Sequence, residues 1–393
     1  MENTQPSRGP TPRVRVSSPA DVLAVVPHLL GFHPSRSMVV IGASGPRERI
    51  KLGFRYDLPD PPGKAAAADI AAHAVTVLGH QRITTVIGVG YGPGTLVTPV
   101  CDALAAAVRK GGLRLRELMR VEDGRYWSYL CRDVNCCPAQ GVAFTLASHP
   151  ASAVMSAAGL GALPDRETLA STLAPVTGAL AQAMDQAAQR ACDRAAKLTA
   201  RAGRRGGADP MRPVIDAGRQ AVRDAISLYR GGGRITDDDQ HAWLLITLVH
   251  LAVRDDAWAR MEPAHREAHL RLWTDLVRRA DAARVPGPAA LLAFTAWQCG
   301  EGALANIAID RALAADPGYS MALLLRDVID AGVPPSAARV PMSPEEVEES
   351  YAQDSGTGPR HRGLEGREGL GERGRRGGRG GRGGHGDEAG DQA

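Results

Sequence analysis

Two short runs, SMVVIGA (37–43) and TTVIGVG (84–90), constrain the fold more than anything else in the chain. Each is apolar throughout, rich in β-branched residues, and too short for a buried helix. Runs of this kind become strands covered on both faces, so helices must flank them. Between them lies RIKLGFRYDLP (49–59), in which Ile50, Leu52, Phe54 and Tyr56 alternate with polar residues. That pattern predicts a half-exposed strand antiparallel to the first. An Ala-rich stretch (64–79) predicts a helix, and a second helix is expected to open at Thr98-Pro99 and close at Gly111-Gly112. LRLRELMRV (113–121) and GRYWSYLC (124–131) flank Asp123-Gly124, a strong hairpin signal. The order strand, strand, helix, strand, helix, strand, strand gives a mixed sheet with helices packed on it. A further helix is expected at its front, where Ser18, Pro19 and Asp21 form a capping-box signature and Gly31 supplies the stop.

Beyond residue 150 the periodicity changes from strand to helix and stays there. Helices are expected at about 175–202, 213–230, 237–254, 263–280, 288–298, 303–315 and 319–331. Ala305, Ala312 and Pro317 occupy the relative places of small residues and the closing proline in a tetratricopeptide repeat. The expected organisation is therefore a polar lead-in (1–15), an α/β domain (16–150), an all-α domain with a repeat-like end (151–335), and a tail (336–393). That tail, acidic and then Arg/Gly-rich, is expected to be disordered.

Charge and composition bear on class. The 393 residues carry a formal charge of only +4, which does not by itself argue for nucleic-acid binding. The N-terminus has no apolar signal core and no window approaches 18 apolar residues. A cytoplasmic protein without a membrane segment is expected, with its six cysteines reduced.

The chemically loaded stretch is WSYLCRDVNCCP (127–138), which holds three of those cysteines, Cys131, Cys136 and Cys137. The hairpin reading puts Trp127, Tyr129 and Cys131 on one face, with RDVN as a turn across which Cys131 and one of Cys136 and Cys137 can come close. Zinc is one candidate occupant, but a structural zinc takes four ligands and this loop offers at most three. Cys101, His149, His33 and His28 are the candidates for the fourth. A redox pair, or cysteines used as small apolar fillers of a sheet edge, are the other two readings. IGVGYGPGT (87–95) follows a strand and precedes a helix, where backbone N–H groups near Gly92 and Thr95 are candidates to hold an anion, although neither dinucleotide nor Walker spacing is met. His33, just after a helix end, and Asp57, at a strand end, are candidate acid–base partners. If they converge with the cysteines, a metal- or thiol-dependent enzyme site results. Arg376, Arg379 and Arg382 of three Arg-Gly-Gly units are candidate RNA contacts, though eight arginines face seven acids across 351–393.

VPHLLGFHPSRSMVVIG, FRYDLP, GRYWSYLCRDVNCCPAQG, LPDRETLASTLAPV and AWQCGEGALANIAIDRALAADPGYSMALLL together resemble an actinobacterial family, domain of unknown function 4192, over about 18–335. The resemblance implies an intracellular protein with an α/β front and a helical rear. It brings no activity, cofactor or catalytic residue. The function expected is a non-catalytic binding or scaffold protein whose helical arm engages a protein partner. The enzyme site and RNA association through the tail stand as alternatives.

Overall fold

The computed structural model describes residues 14–61, 63–146, 148–204, 209–337 and 342–354, all within one compact unit, Met1–Arg360. Helix α1 (Pro19–Leu30) opens it with the expected capping box: Ser18 Oγ accepts from Asp21 N, and Asp21 accepts from Ser18 N. The strands and helices β1 (Ser37–Ser44), β2 (Arg49–Asp57), α2 (Lys64–His80), β3 (Thr85–Tyr91), α3 (Gly94–Lys110), β4 (Arg114–Glu122), β5 (Arg125–Ser128) and β6 (Val142–Ala143) follow. They build one six-stranded sheet, ordered β2-β1-β3-β4-β5-β6. Among neighbouring strands only β3 and β4 pair in parallel, joined by the crossover helix α3, while α2 carries the chain from β2 past β1 to β3.

Both faces are covered. On one, Met38, Val40, Val86 and Leu118 pack against Ala67, Ala71, Ala74 and Leu78 of α2 and Val97, Val100, Cys101 and Leu104 of α3. On the other, Val39, Ile41, Ile87, Val89, Met119 and Val121 pack under Val22, Leu23 and Val26 of α1. In β2, Ile50 departs from the single expected face. A bulge between Gly42 and Ala43 shifts the register, so Ile50 joins the α1 side while Leu52, Phe54 and Tyr56 lie on the other.

The remainder is helical: α4 (Pro150–Ala157), α5 (Arg166–Ser171), α6 (Ala179–Arg204), α7 (Arg212–Arg230), α8 (Asp238–Thr247), α9 (Leu251–Ala259), α10 (Arg266–Arg279), α11 (Pro286–Gln298), α12 (Gly302–Ala315), α13 (Ser320–Asp330) and α14 (Pro344–Asp354). The helix expected at 237–254 is two helices. Thr247 turns its hydroxyl back onto Trp243 O (2.8 Å), and the backbone of Gly287 comes so close to the Leu248 carbonyl that a Cβ there would lie 3.3 Å away. Pro286 to Trp297 is buried without interruption, so α11 is a central helix hydrophobic all round rather than the outer helix of a repeat. Its small side chains, Ala289, Ala290, Ala293 and Ala296, let neighbouring helices approach from every side.

Sheet and helices are joined through α2. His73 Nε2 lies 2.6 Å from Asp330 O, His80 Nδ1 lies 2.6 Å from Ala331 O, and Gln81 Nε2 donates to Gly332 O at 2.8 Å. These are the unsatisfied carbonyls at the C-terminus of α13. Gly332 closes that helix at φ +65° against Val77, where any side chain would collide.

The expectation of an unstructured chain from 336 fails at α14. SPEE is a capping box, with Ser343 Oγ accepting from Glu346 N and Glu346 Oε2 accepting from Ser343 N. Val347 and Tyr351, four residues apart, give that helix one anchoring face.

Candidate functional site

Strand β5 ends earlier than expected, and its end creates the site. Ser128 donates to Glu117 Oε1 (2.7 Å) and accepts from the backbone N–H groups of Leu130 and Cys131 (3.2 Å each). This hydroxyl turn takes the chain off the sheet edge, so Cys131 does not continue the face of Trp127 and Tyr129. Asp133 forms the next turn, accepting at its side chain from Asn135 N (2.9 Å) and at its carbonyl from Cys137 N (2.7 Å). The loop then returns as β6, pairing Val142 with Tyr126.

Two side chains of β5 hold this loop, and one of β4 braces them. Trp127 Nε1 donates to Ala139 O (2.9 Å), and Arg125 donates to Gln140 O and Gly141 O. The Arg120 guanidinium stacks 3.7 Å from the Trp127 ring and pairs with Glu122. Gly141, at φ +76°, lies so close that a Cβ would sit 2.6 Å from the same ring. Only glycine meets both demands.

The result is that Cys131, Cys136 and Cys137 place all three Sγ atoms within 4.8 Å of one another. Cys136 is exposed, and the other two are partly so. The thiols share their protons unequally. The Asp133 backbone N–H, aided by donation from the Cys137 and Cys136 thiols, lowers the Cys131 pKa below the ordinary thiol value. Loss of solvent, then the neighbouring sulfurs, push Cys137 up to about 12. Burial, with the negative potential of the three sulfurs and Glu117, also raises Tyr126. Of Cys131 and Cys137, Cys131 is therefore the thiol that ionises more readily.

None of the four candidates for a further ligand belongs to the cluster. Cys101 is buried between α3 and the sheet, and burial raises its pKa strongly. His149 caps α4, accepting from Ala151 N. His28 Nδ1 lies 2.5 Å from Leu160 O. His33 is held by its backbone, which donates to Leu163 O, and its ring lies at the surface. Asp57 ends β2 beside Arg55, largely exposed. Four inter-strand steps separate β2 from β5, about 19 Å at 4.8 Å each. The structure thus brings the three cysteines together and leaves Asp57 across the sheet from them.

The glycine loop has a packing explanation. A Cβ on Gly88 would lie 2.5 Å from Leu118 of β4 and 3.1 Å from Leu104 of α3, and one on Gly90 would overlap Val97 Cγ1 of α3, so these glycines let α3 and the neighbouring strand's side chain lie close on β3. Gly92 N already donates to Val121 O (2.9 Å). Helix α3 begins at Gly94, four residues before the expected Thr98, which puts Thr95 in its first turn. Arg376, Arg379 and Arg382 lie outside the described residues.

Signals for what sequence reasoning missed were present. Ser128 and Glu117 organise the cysteine turn, and a serine three residues before a cysteine is a turn signature. The Arg120–Trp127 stack was not readable, because it depends on β4–β5 register.

Residues 19–336 match the model of a family described as a domain of unknown function, DUF4192. No curated protein and no solved structure matches the chain.

Proposed function

The chain belongs to the DUF4192 family, and on that footing we propose that it is a non-catalytic binding protein whose cysteine loop holds a thiophilic metal ion, with zinc as the natural candidate. The observation that carries this is the mutual approach of Cys131, Cys136 and Cys137 within 4.8 Å on one exposed turn. Tetrahedral Zn–S bonds of about 2.3 Å place sulfurs about 3.8 Å apart, so side-chain rotation alone closes the difference. The ion would replace the protons now shared among the thiols, and a fourth position would face outward for water or a ligand from a partner. A shared site of Asp57 with the cysteines gains no support, because four inter-strand steps separate β2 from β5.

Native mass spectrometry with elemental analysis, on protein purified under reducing conditions with zinc supplied, tests this. One zinc per chain, lost in Cys131→Ser, is expected. Equal zinc content in wild type and Cys131→Ser contradicts it.

A second reading assigns the helical region to a protein partner. It is favoured by Leu323 and Leu324, adjacent on α13 and each 42% exposed. Replacing both by Glu is expected to remove co-purifying partners while Cys131→Ser leaves them. Retention of partners by the Leu323→Glu/Leu324→Glu variant counts against it. Cytoplasmic residence in an actinobacterium accords with this reading: among the described residues all six cysteines are free, and no helix is long and apolar enough to cross a membrane. RNA association through the Arg-Gly-Gly units is a separate proposal, tested by removing 359–386 and measuring the salt-dependent RNA affinity.

A further inference from the structure

Where the sheet meets the helical region, Ser44, Lys51, Gln81, Arg266, Gln298 and Ser336 line one open cleft of about 530 Å³. Lys51 reaches it from the bulge of β2. It has no partner on β1, because Gly42 faces Leu52 and Ala43 faces Ile50. A bulge re-aims the side chain it carries, and such bulges gather beside functional sites. Gln81 follows the last turn of α2 and donates through Nε2 to Gly332 O at 2.8 Å. Arg266 is the first residue of α10 and Gln298 the last of α11, and Arg266 Nη1 donates to Gln298 O at 3.1 Å. Gln298 Nε2 in turn donates to Pro335 O at 3.5 Å, which ties the turn bearing Ser336 to the same place.

The charge of this lining is one-sided. Two cations line the cleft and, among the described residues, no carboxylate does. Neither Lys51 nor Arg266 has an acidic partner among those residues. Arg266 Nε is also buried without an acceptor. Buried donors in native proteins are nearly always satisfied, so this one marks a place for an oxygen that the described chain does not supply.

The donors also specify the shape of that group. Guanidinium Nε belongs to a planar fork that matches two oxygens of a carboxylate or phosphate. Lys51 adds a point charge from the sheet, a separate element. A carboxylate presents two oxygens in one plane, whereas a phosphate spreads its oxygens tetrahedrally and can answer both cations at once. The cleft is of the size that takes small molecules rather than a bare ion. Gln81 and Gln298 have each committed Nε2 to a carbonyl and keep Oε1 as an acceptor, while Ser44 and Ser336 offer hydroxyls.

We propose that this cleft binds a small, hydroxyl-bearing phosphate monoester, its phosphate held between Arg266 and Lys51 and its hydroxyls by the amide oxygens of Gln81 and Gln298. The bound ester bridges the sheet and the helical region.

The experiment titrates the full chain by calorimetry with glycerol 3-phosphate, inorganic phosphate and acetate. Wild type is expected to bind one glycerol 3-phosphate per chain, and no binding overturns the proposal. Inorganic phosphate is expected to bind about threefold more weakly than the ester, for want of the hydroxyl contacts. Equal affinity overturns the role given to the two glutamines. Acetate is expected to bind about tenfold more weakly than inorganic phosphate, and equal affinity for acetate overturns the phosphate assignment. Lys51 is exposed, so Lys51→Ala leaves the fold intact and is expected to lower the affinity for glycerol 3-phosphate about tenfold. Arg266→Gln is expected to lower it at least as far, with thermal melting confirming a folded chain. An affinity unchanged in Lys51→Ala overturns the site. Arg278→Gln, at an exposed position of the same helix, is expected to leave the affinity unchanged. A loss there equal to that in Lys51→Ala means that general positive charge attracts the ester, which also overturns the site.

Discussion

The loops that follow β3 and β5 both read as chemistry in the sequence, one by its glycines and one by its cysteines, and the fold treats them in opposite ways. The glycines at 88 and 90 are inside, consumed by the approach of α3 to the sheet. The cysteines at 131, 136 and 137 are at an edge, on a turn that side chains of β5 fasten from behind. A glycine-rich strand–helix junction has two physical causes, ligand approach and element approach, and sequence alone cannot separate them. A thiol cluster on a polar turn has fewer explanations, since apolar packing would bury it as Cys101 is buried.

The sharpest way to break this contrast is to mutate each loop and compare stability. Gly90→Ala places a Cβ on the branched, fully buried Val97 side chain, and a loss of about 3 kcal/mol is expected in urea unfolding. A change under about 0.5 kcal/mol would return the loop to the list of candidate anion sites. Trp127→Ala removes the ring on which Arg120 and Gly141 rest and the bond to Ala139 O. It is expected to cost about 2 kcal/mol and to speed amide exchange across 129–141. Cys136→Ser, at an exposed position, is expected to change apo-protein stability by less than about 0.5 kcal/mol.

The pH dependence of thiol alkylation sharpens the cysteine side. The folded pKa of Cys131 lies below its unfolded value, so its thiolate is stabilised above the unfolded pKa, and that contribution is lost as pH falls through the folded pKa. Cys131 is therefore expected to react first as pH rises. Cys137, pushed up to about 12, should react last. Cys136→Ala/Cys137→Ala is expected to move the Cys131 midpoint upward, because its two thiol donors are then removed. An unmoved midpoint would leave only the Asp133 N–H as its stabiliser. Smallest of all, Thr95→Ala is expected to shift stability by under about 0.5 kcal/mol, since α3 takes no side-chain cap from its first turn.

The sheet was readable because β1 and β3 are buried on both faces, and the helical region because its periodicity is unbroken. What escaped was local and tertiary. β6 is two residues long and carries no period of its own. The β2 face switch arises at Lys51, which has no partner on β1 because Gly42 faces Leu52 and Ala43 faces Ile50. Helix α14 announced its start through Ser343 and Glu346, but its reason to persist is a buried carboxylate almost one hundred residues upstream, at Asp255. The approach of Cys131 to one of the pair was readable as a short-range closure, but the meeting of all three sulfurs was not. The distance from them to Asp57 was not, because it depends on strand order.

X-ray absorption at the zinc edge, on protein loaded with one equivalent of zinc, tests the central claim most directly. Three sulfur neighbours at about 2.3 Å and one lighter atom are predicted, falling to two sulfurs in Cys131→Ser. A first shell of nitrogen and oxygen alone, or one that Cys131→Ser leaves unchanged, would contradict it.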